Sequence, residues 1–314
     1  MKKIILVLAS FAIAAGMASA QTMAEATELY NNGATAITMK NWTEALDNFQ
    51  KALAMGTEIG EEAEELVTNC KNTIPGVAFE IAKDLIKENK FDEALAKTEE
   101  VVKIAEEYGN EEVALQAAKL QPDILVRKGN FAEDGADKDY ATAADCYAKA
   151  FAIDTTAGKT ALRLGAALKK LGKNDEAIKA FQHAGWNGQE AQANKQISTI
   201  YLQDAQVALK ANKFADAVKA AEKSNSFSES ANAYYLSAKA YEGLKKNADA
   251  IKNYEKYLEL NPSANNANTV TFNIAGLYLG QKNNAKAIEY YKKVQNDPKV
   301  GKQATEMIKA LGGK

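Results

Sequence analysis

Few residues in this chain carry reactive chemistry, and their spacing brings no catalytic set together. His183 is the single histidine, and it stands in a helical phrase between Phe181 and Ala184 with no second histidine to share a proton. That context reads as a packed or rim side chain. Cys70 and Cys146 are the two cysteines, 76 residues apart. A tetrahedral zinc site takes four nitrogen, sulfur or carboxylate ligands, so one histidine and two distant cysteines do not make one unaided. The bland reading of the cysteines is two small apolar residues on helix faces. Glu61, Glu62, Glu64 and Glu65 crowd together, but like-charged helix formers of this kind cover a solvated face. The glycines occupy turns and helix contacts, not a phosphate-cradling loop. No catalytic residue, metal site or cofactor is expected.

Cations and rings remain. Lys159 and Arg163 are four residues apart, a spacing that puts both on one helix face where they can hold a carboxylate. Lys83, Arg127, Lys169 and Lys170 extend this basic group. Such side chains need a frame, and the frame shows as one helical phrase anchored each time on an alanine. Phe91-Asp92-Glu93-Ala94-Leu95 and Asn174-Asp175-Glu176-Ala177-Ile178 are two copies, and the full set of anchors is Ala45, Ala94, Ala143, Ala177, Ala217, Ala250 and Ala287. Successive anchors lie 49, 49, 34, 40, 33 and 37 residues apart. Periods near 34 residues with helix–turn–helix content mark a repeat architecture.

The residues around each anchor resemble the tetratricopeptide repeat family. Its pattern sets a small residue in a first helix, an alanine twelve positions later in a second, an aromatic four further on and a small residue three beyond. Gly33, Ala45, Phe49 and Ala52 fit, as do Gly165, Ala177, Phe181 and Ala184. Ala238, Ala250 and Tyr254, and Ala275, Ala287 and Tyr291, match in the sixth and seventh copies. The second and fifth keep Ala82/Ala94 and Ala205/Ala217 but carry Thr98 and Ala221 in place of the aromatic. The third places 14 residues between Gly129 and Ala143 rather than 12. The resemblance implies an all-α, right-handed α-solenoid of about seven helix pairs, in which small residues let paired helices approach and stacking buries what each pair leaves exposed. The units are expected at 26–57, 75–106, 122–155, 158–187, 198–228, 231–262 and 268–298 of a single solenoid over 21–314, with a terminal helix at 300–311 covering the last face.

Two units carry added segments, 61–73 and 110–121, and each meets a proline seven residues before the small position, Pro75 and Pro122. Proline suits a first helical turn and disrupts an interior, so an added helix is expected to end or kink there. Gly188 to Ser198 is expected to lengthen the fifth unit. Asn89, Gly172 and Asn212 fall where a helix stops and a left-handed residue is favoured.

In the resembled family the first helix of each unit lines a groove for an extended peptide or partner helix. The residue three before the small position is Tyr30, Phe79, Val126, Leu162, Leu202, Tyr235 and Phe272 in turn, an apolar stripe flanked by Lys83, Arg127, Lys159 and Arg163. One residue of register decides whether that stripe lines the groove or enters the core. Some members hold a chaperone's C-terminal carboxylate with five Lys, Asn and Arg positions. Lys159 and Arg163 fall on the last two, but Phe79, Lys83 and Arg127 stand at the others and the asparagines are missing, which argues against that clamp.

The N-terminus fixes the expected compartment. Lys2 and Lys3 precede the apolar run Ile4 to Ala9, and Ala18-Ser19-Ala20 offers a small-x-small cleavage site, the signature of a secretory signal peptide over 1–20. No cysteine follows the cut to accept lipid. The protein is therefore expected to be periplasmic or secreted, without stable membrane insertion. The formal charge of −2 becomes −4 without Lys2 and Lys3, read as mixed along the chain, which disfavours nucleic acid. The function expected is a protein-interaction scaffold for a protein or peptide partner in envelope assembly or secretion. A self-associating module, a homo-oligomer through the terminal helix, is the alternative, with a small-ligand binder or enzyme behind it.

Overall fold

The computed structural model describes residues 22–312, so the expected signal peptide over 1–20 lies outside the described residues. Among the described residues there are fifteen α-helices and no strand. Their contacts divide the chain into two compact units, with the division between Phe131 and Ala132. No helix among them is long and apolar enough to cross a membrane.

The first unit contains α1 (Thr22–Thr38), α2 (Trp42–Ile59), α3 (Glu64–Lys87), α4 (Phe91–Glu107) and most of α5 (Glu111–Asp134). Its core runs through Ala45, Phe49, Cys70, Ile74, Ala78 and Val101, all essentially closed to solvent. The second unit holds α6 (Tyr140–Ile153), α7 (Gly158–Lys170), α8 (Asn174–Ala184), α9 (Glu190–Lys210), α10 (Phe214–Phe227), α11 (Ala231–Gly243), α12 (Asn247–Leu260), α13 (Ala267–Gly280), α14 (Asn284–Val294) and α15 (Gly301–Ala310). Each of these packs on the next in sequence, so its core is a chain of small clusters. The last helix buries Ala304 and Ile308 against α14, as its amphipathic spacing requires.

The anchor alanines explain the regularity. All seven have no exposed surface, and each is the fourth residue of its helix, where its amide makes the first helical hydrogen bond to the residue just before the helix. A methyl is the largest group such a crossing admits. The small residue twelve positions earlier has a matching cause. A Cβ on Gly33 would stand 3.0 Å from the Phe49 ring, and one on Gly165 would stand 2.6 Å from the Phe181 ring. The aromatic of the second helix thus lies directly on the backbone of the first.

The turns between paired helices are equally uniform. Two residues before the second helix of every pair, the backbone is left-handed: Lys40, Asn89, Lys138, Gly172, Asn212, Lys245 and Lys282, with φ between 46° and 73°. The next amide usually reaches back five residues to a carbonyl of the first helix, as in Lys173 to Leu168 and Lys246 to Tyr241, closing the helix end. Asn89, Gly172 and Asn212 fill this position as expected, and four lysines fill it as well. In the third copy Asp139 reaches back to Ala132 instead, which absorbs the two extra residues counted from Gly129 to Ala143.

The added segments are helical but do not end at their prolines. α3 and α5 each run 24 residues with Pro75 and Pro122 inside them. A proline in a helix interior removes one backbone bond and costs about 3 kcal/mol. In α3 the buried residues Leu66, Cys70, Ile74, Val77 and Ala78 run on both sides of the proline along one face, so packing holds the helix through the defect. The fifth unit is lengthened through α9, a helix of 21 residues that begins after Asn187 and Gly188 leave helical geometry.

Candidate interaction surface

The stripe residues occupy equivalent places on the first helix of each pair, and packing decides what they present. Tyr30 meets Phe49 edge-on with ring centroids 5.2 Å apart, Phe272 meets Tyr291 at 5.1 Å, and Tyr235 meets Tyr254 at 5.9 Å and Tyr257 at 5.1 Å. The partner ring is 19 residues downstream in three of these contacts, because the small position and the anchor fix the offset. Phe79 is buried, while Tyr30, Val126, Leu162, Leu202, Tyr235 and Phe272 are half-buried. One side of the Tyr30, Tyr235 and Phe272 rings therefore belongs to the core and the other reaches the surface, while Phe79 belongs to the core. Leu202 and Tyr235 flank one cluster on α9 and α11, and Tyr235 also joins the next. Tyr30, Phe79 and Val126 belong to the first compact unit and the other four to the second.

The cations beside the stripe are mostly engaged. Lys83 Nζ bonds Glu80 at 2.6 Å and stands 4.4 Å from the centre of the Phe79 ring, which brings two of the expected site residues together. Arg127 bonds Asp123 at 2.7 Å across one helical turn. Arg163 interacts with the Tyr147 hydroxyl, which also donates to Glu133 at 3.0 Å. Burial pushes the Tyr147 hydroxyl up to about 12, the Glu133 carboxylate adds to the rise, and Arg163 opposes it. Lys159 is exposed one turn before Arg163 on α7. The pair therefore does not act as a free two-cation grip, since Arg163 serves the α6–α7 contact.

The remaining chemistry-bearing residues are placed as packing groups. His183 is exposed and lies against Phe151 and Trp186 with centroids 5.6 and 5.0 Å away. Cys70 and Cys146 are both buried, and burial pushes the Cys70 thiol up to about 11, which holds it as the unreactive thiol. Among the described residues no group of three or more His, Cys, Asp or Glu is placed to hold a metal ion.

One property is hidden by the total charge. Residues 22–131 carry eleven Lys and Arg against twenty-one Asp and Glu, a net charge of −10. Residues 132–312 carry twenty-five against twenty, a net charge of +5. The near-neutral total hides a strong separation, which corrects the reading of charge as mixed along the chain. Summing charge by half-chain is the signal that finds it.

Two tetratricopeptide repeat family models match, one over residues 159–184 and the other over 202–265 and 247–300. No curated protein matches the sequence. Among solved structures, the chain is similar to MamA protein at 19% identity, over 62% of this chain and 95% of that one, with a TM-score of 0.37. It is also similar to the TPR2AB domain of yeast Sti1 in complex with pHSP90, at 17% identity over 92% and 99%, with a TM-score of 0.33. The P58(IPK) TPR domain matches at 17% identity over 92% and 97%, with a TM-score of 0.27. Superpositions this loose assign no ligand or partner to this chain.

Proposed function

We propose, on the premise that this chain is a tetratricopeptide repeat protein, that it is an exported scaffold whose first-helix stripe binds a protein or peptide partner. The observation that carries this reading is the state of Tyr235 and Phe272. Each ring is held from behind by an aromatic of the paired helix and keeps part of its surface open. Rings immobilised in this way lose little side-chain freedom on binding, which is how aromatic anchors contribute most of an interface's affinity. Half-burial also suits an extended or helical segment lying across several repeats, each supplying one contact. No catalytic step is assigned. Export rests on the reading of residues 1–20, and an envelope role rests on export.

The test replaces Tyr235 and Phe272 together with Ala. Each truncation removes aromatic contacts as well as surface, so stability falls by about 1–3 kcal/mol per site while helical content persists. Partner capture by crosslinking in intact envelope extracts should disappear at a temperature where the variant is fully folded. Retained capture, or a variant that does not fold at all, would place the rings in the core and remove the stripe as a binding surface. Mass spectrometry of the exported chain should find Gln21 at its N-terminus. A chain that keeps residues 1–20, or stays in the cytoplasm, would remove the export reading.

A further inference from the structure

The separation of charge between the two units is resolved further by where the charges stand. In the second unit the left-handed turns between paired helices carry exposed lysines at successive levels. Lys210 and Lys213 flank Asn212, and Lys245 and Lys246 follow Leu244. These levels are neighbours in space: a Cβ on Gly243 would stand 2.5 Å from the Phe214 ring, and one on Gly280 would stand 2.9 Å from Asn247. None of the four lysines takes part in an ion pair among the described residues, although Lys246 lies 6.0 Å from the centre of the Tyr241 ring. The second helices also begin along this edge, with the partial positive charge of their N-termini. Leu244 keeps 36% of its surface exposed at the tip of the second of these turns.

The first unit presents the opposite surface. Glu58, Glu61, Glu62, Glu64 and Glu65 are all exposed where α2 passes into α3, and none is ion-paired among the described residues. The α4–α5 connection lies close by, since Lys71 near the start of α3 stands 5.8 Å from the Tyr108 ring at the end of α4, and it adds further exposed glutamates. Within this acidic end there is a cavity of about 440 Å³, lined by Thr22, Met55, Glu58, Ile59 and Glu62. Its apolar side chains, Met55 and Ile59, sit beside two carboxylates.

We propose that this protein self-associates head to tail: the Leu244-Lys245-Lys246 turn of one copy docks on the acidic end of another, with Leu244 entering the cavity against Met55 and Ile59. The chemistry matches at each point. An aliphatic side chain followed by two ammonium groups meets apolar walls beside Glu58 and Glu62. The left-handed backbone at Lys245, with φ of 57°, makes the turn tight enough to project as a tip. Five uncompensated glutamates repel one another in the isolated molecule, and an incoming basic turn relieves that repulsion. The two surfaces differ, so the contact is heterologous. It leaves a free acidic end and a free basic edge at the termini of each assembly, and copies add until a ring closes or continue as a filament. This assembly uses neither the aromatic stripe nor the terminal helix α15.

The experiment is sedimentation velocity on the chain from Gln21 to Lys314, the form expected once residues 1–20 are cleaved and one that holds every described residue, over a tenfold range of concentration. At about 20 mM NaCl the mean mass should rise at least twofold with concentration. At about 500 mM, where the screening length falls to about 4 Å, it should return to the monomer. Lys245→Glu with Lys246→Glu should stay monomeric in low salt, and so should Glu58→Lys with Glu62→Lys. Mixing the two variants should restore association, because each then meets a surface of opposite charge. Circular dichroism and melting of each variant establish that it is folded, and Lys245→Gln with Lys246→Gln stands in if the first pair is not. A parent chain that remains monomeric in low salt would overturn the proposal. So would assembly that survives high salt, or folded variants that fail to associate when mixed.

Discussion

Four of the seven left-handed turn positions are lysines, and that is a cost the sequence carries at single residues. A side chain with a Cβ is disfavoured in this region by about 1–2 kcal/mol, partly offset because glycine loses more backbone entropy on folding. Lys40 and Lys282, with φ of 57° and 60°, are exposed and outside any ion pair among the described residues. Replacing either with Gly should therefore stabilise the protein by about 0.5–1 kcal/mol, read as a shift of the urea midpoint with unchanged slope. The equivalent turn position is glycine at Gly172. A drop in stability at Lys282→Gly would mean that the lysine stem packs on its neighbours more than its exposure indicates. Gly33 and Gly165 behave in the opposite sense. There the absence of a side chain admits an aromatic ring, and nothing about backbone angle is involved.

Between elements, buried tyrosines tie paired helices together through carboxylates. Tyr254 of α12 is closed to solvent and donates to Glu242 of α11 at 2.8 Å, and Tyr147 of α6 donates to Glu133 at 3.0 Å. Burial, then the Glu242 carboxylate, raises the Tyr254 hydroxyl well above its ordinary value, and Tyr147 is pushed up to about 12. A raised folded value means these groups stabilise the fold fully below the unfolded tyrosine value of about 10, and that contribution is lost as pH climbs from there through the folded value. Melting temperature should hold to about pH 10 and fall above it. Absorbance at tyrosinate wavelengths should show these two rings ionising only together with unfolding. Tyr254→Phe removes one such group and should flatten the alkaline decline; an unchanged decline would place its cause elsewhere. Ser198 and Ser224 form a comparable tie between α9 and α10, with their buried hydroxyls 2.9 Å apart and Ser224 donating to the Ser198 carbonyl. Polar groups in a helix crossing are tolerated here because each has a partner.

At the scale of the whole molecule, the two compact units differ most in charge. A unit at −10 is destabilised by its own repulsion, and salt screens that repulsion. Hydrogen exchange should therefore show protection in residues 22–131 rising with NaCl, by more than in residues 132–312. Equal response in the two would mean that local pairs such as Lys51–Asp47 and Lys87–Asp84 already balance the first unit. Each unit is a run of nearest-neighbour contacts, so exchange should also grade along the chain instead of being lost in one step.

The sequence by itself determined the helical repeat, the seven anchors and the sites of the turns, because those depend on residue size and backbone preference over short distances. A methyl-sized crossing every 33 to 49 residues and a ring four positions later are properties that a linear pattern records directly. Two features were decided only by tertiary packing, and a third took its bounds from it. The helices α3 and α5 run through Pro75 and Pro122, because burial against neighbours outweighs a local defect that sequence reading treats as an end or a kink. The stripe from Tyr30 to Phe272 is half-buried except at Phe79, which is buried, because the share depends on how packing covers each residue, not on register alone. Charge separation lies in the sequence but cancels in the whole-chain sum, and the division of contacts supplies only the boundary between the two sums.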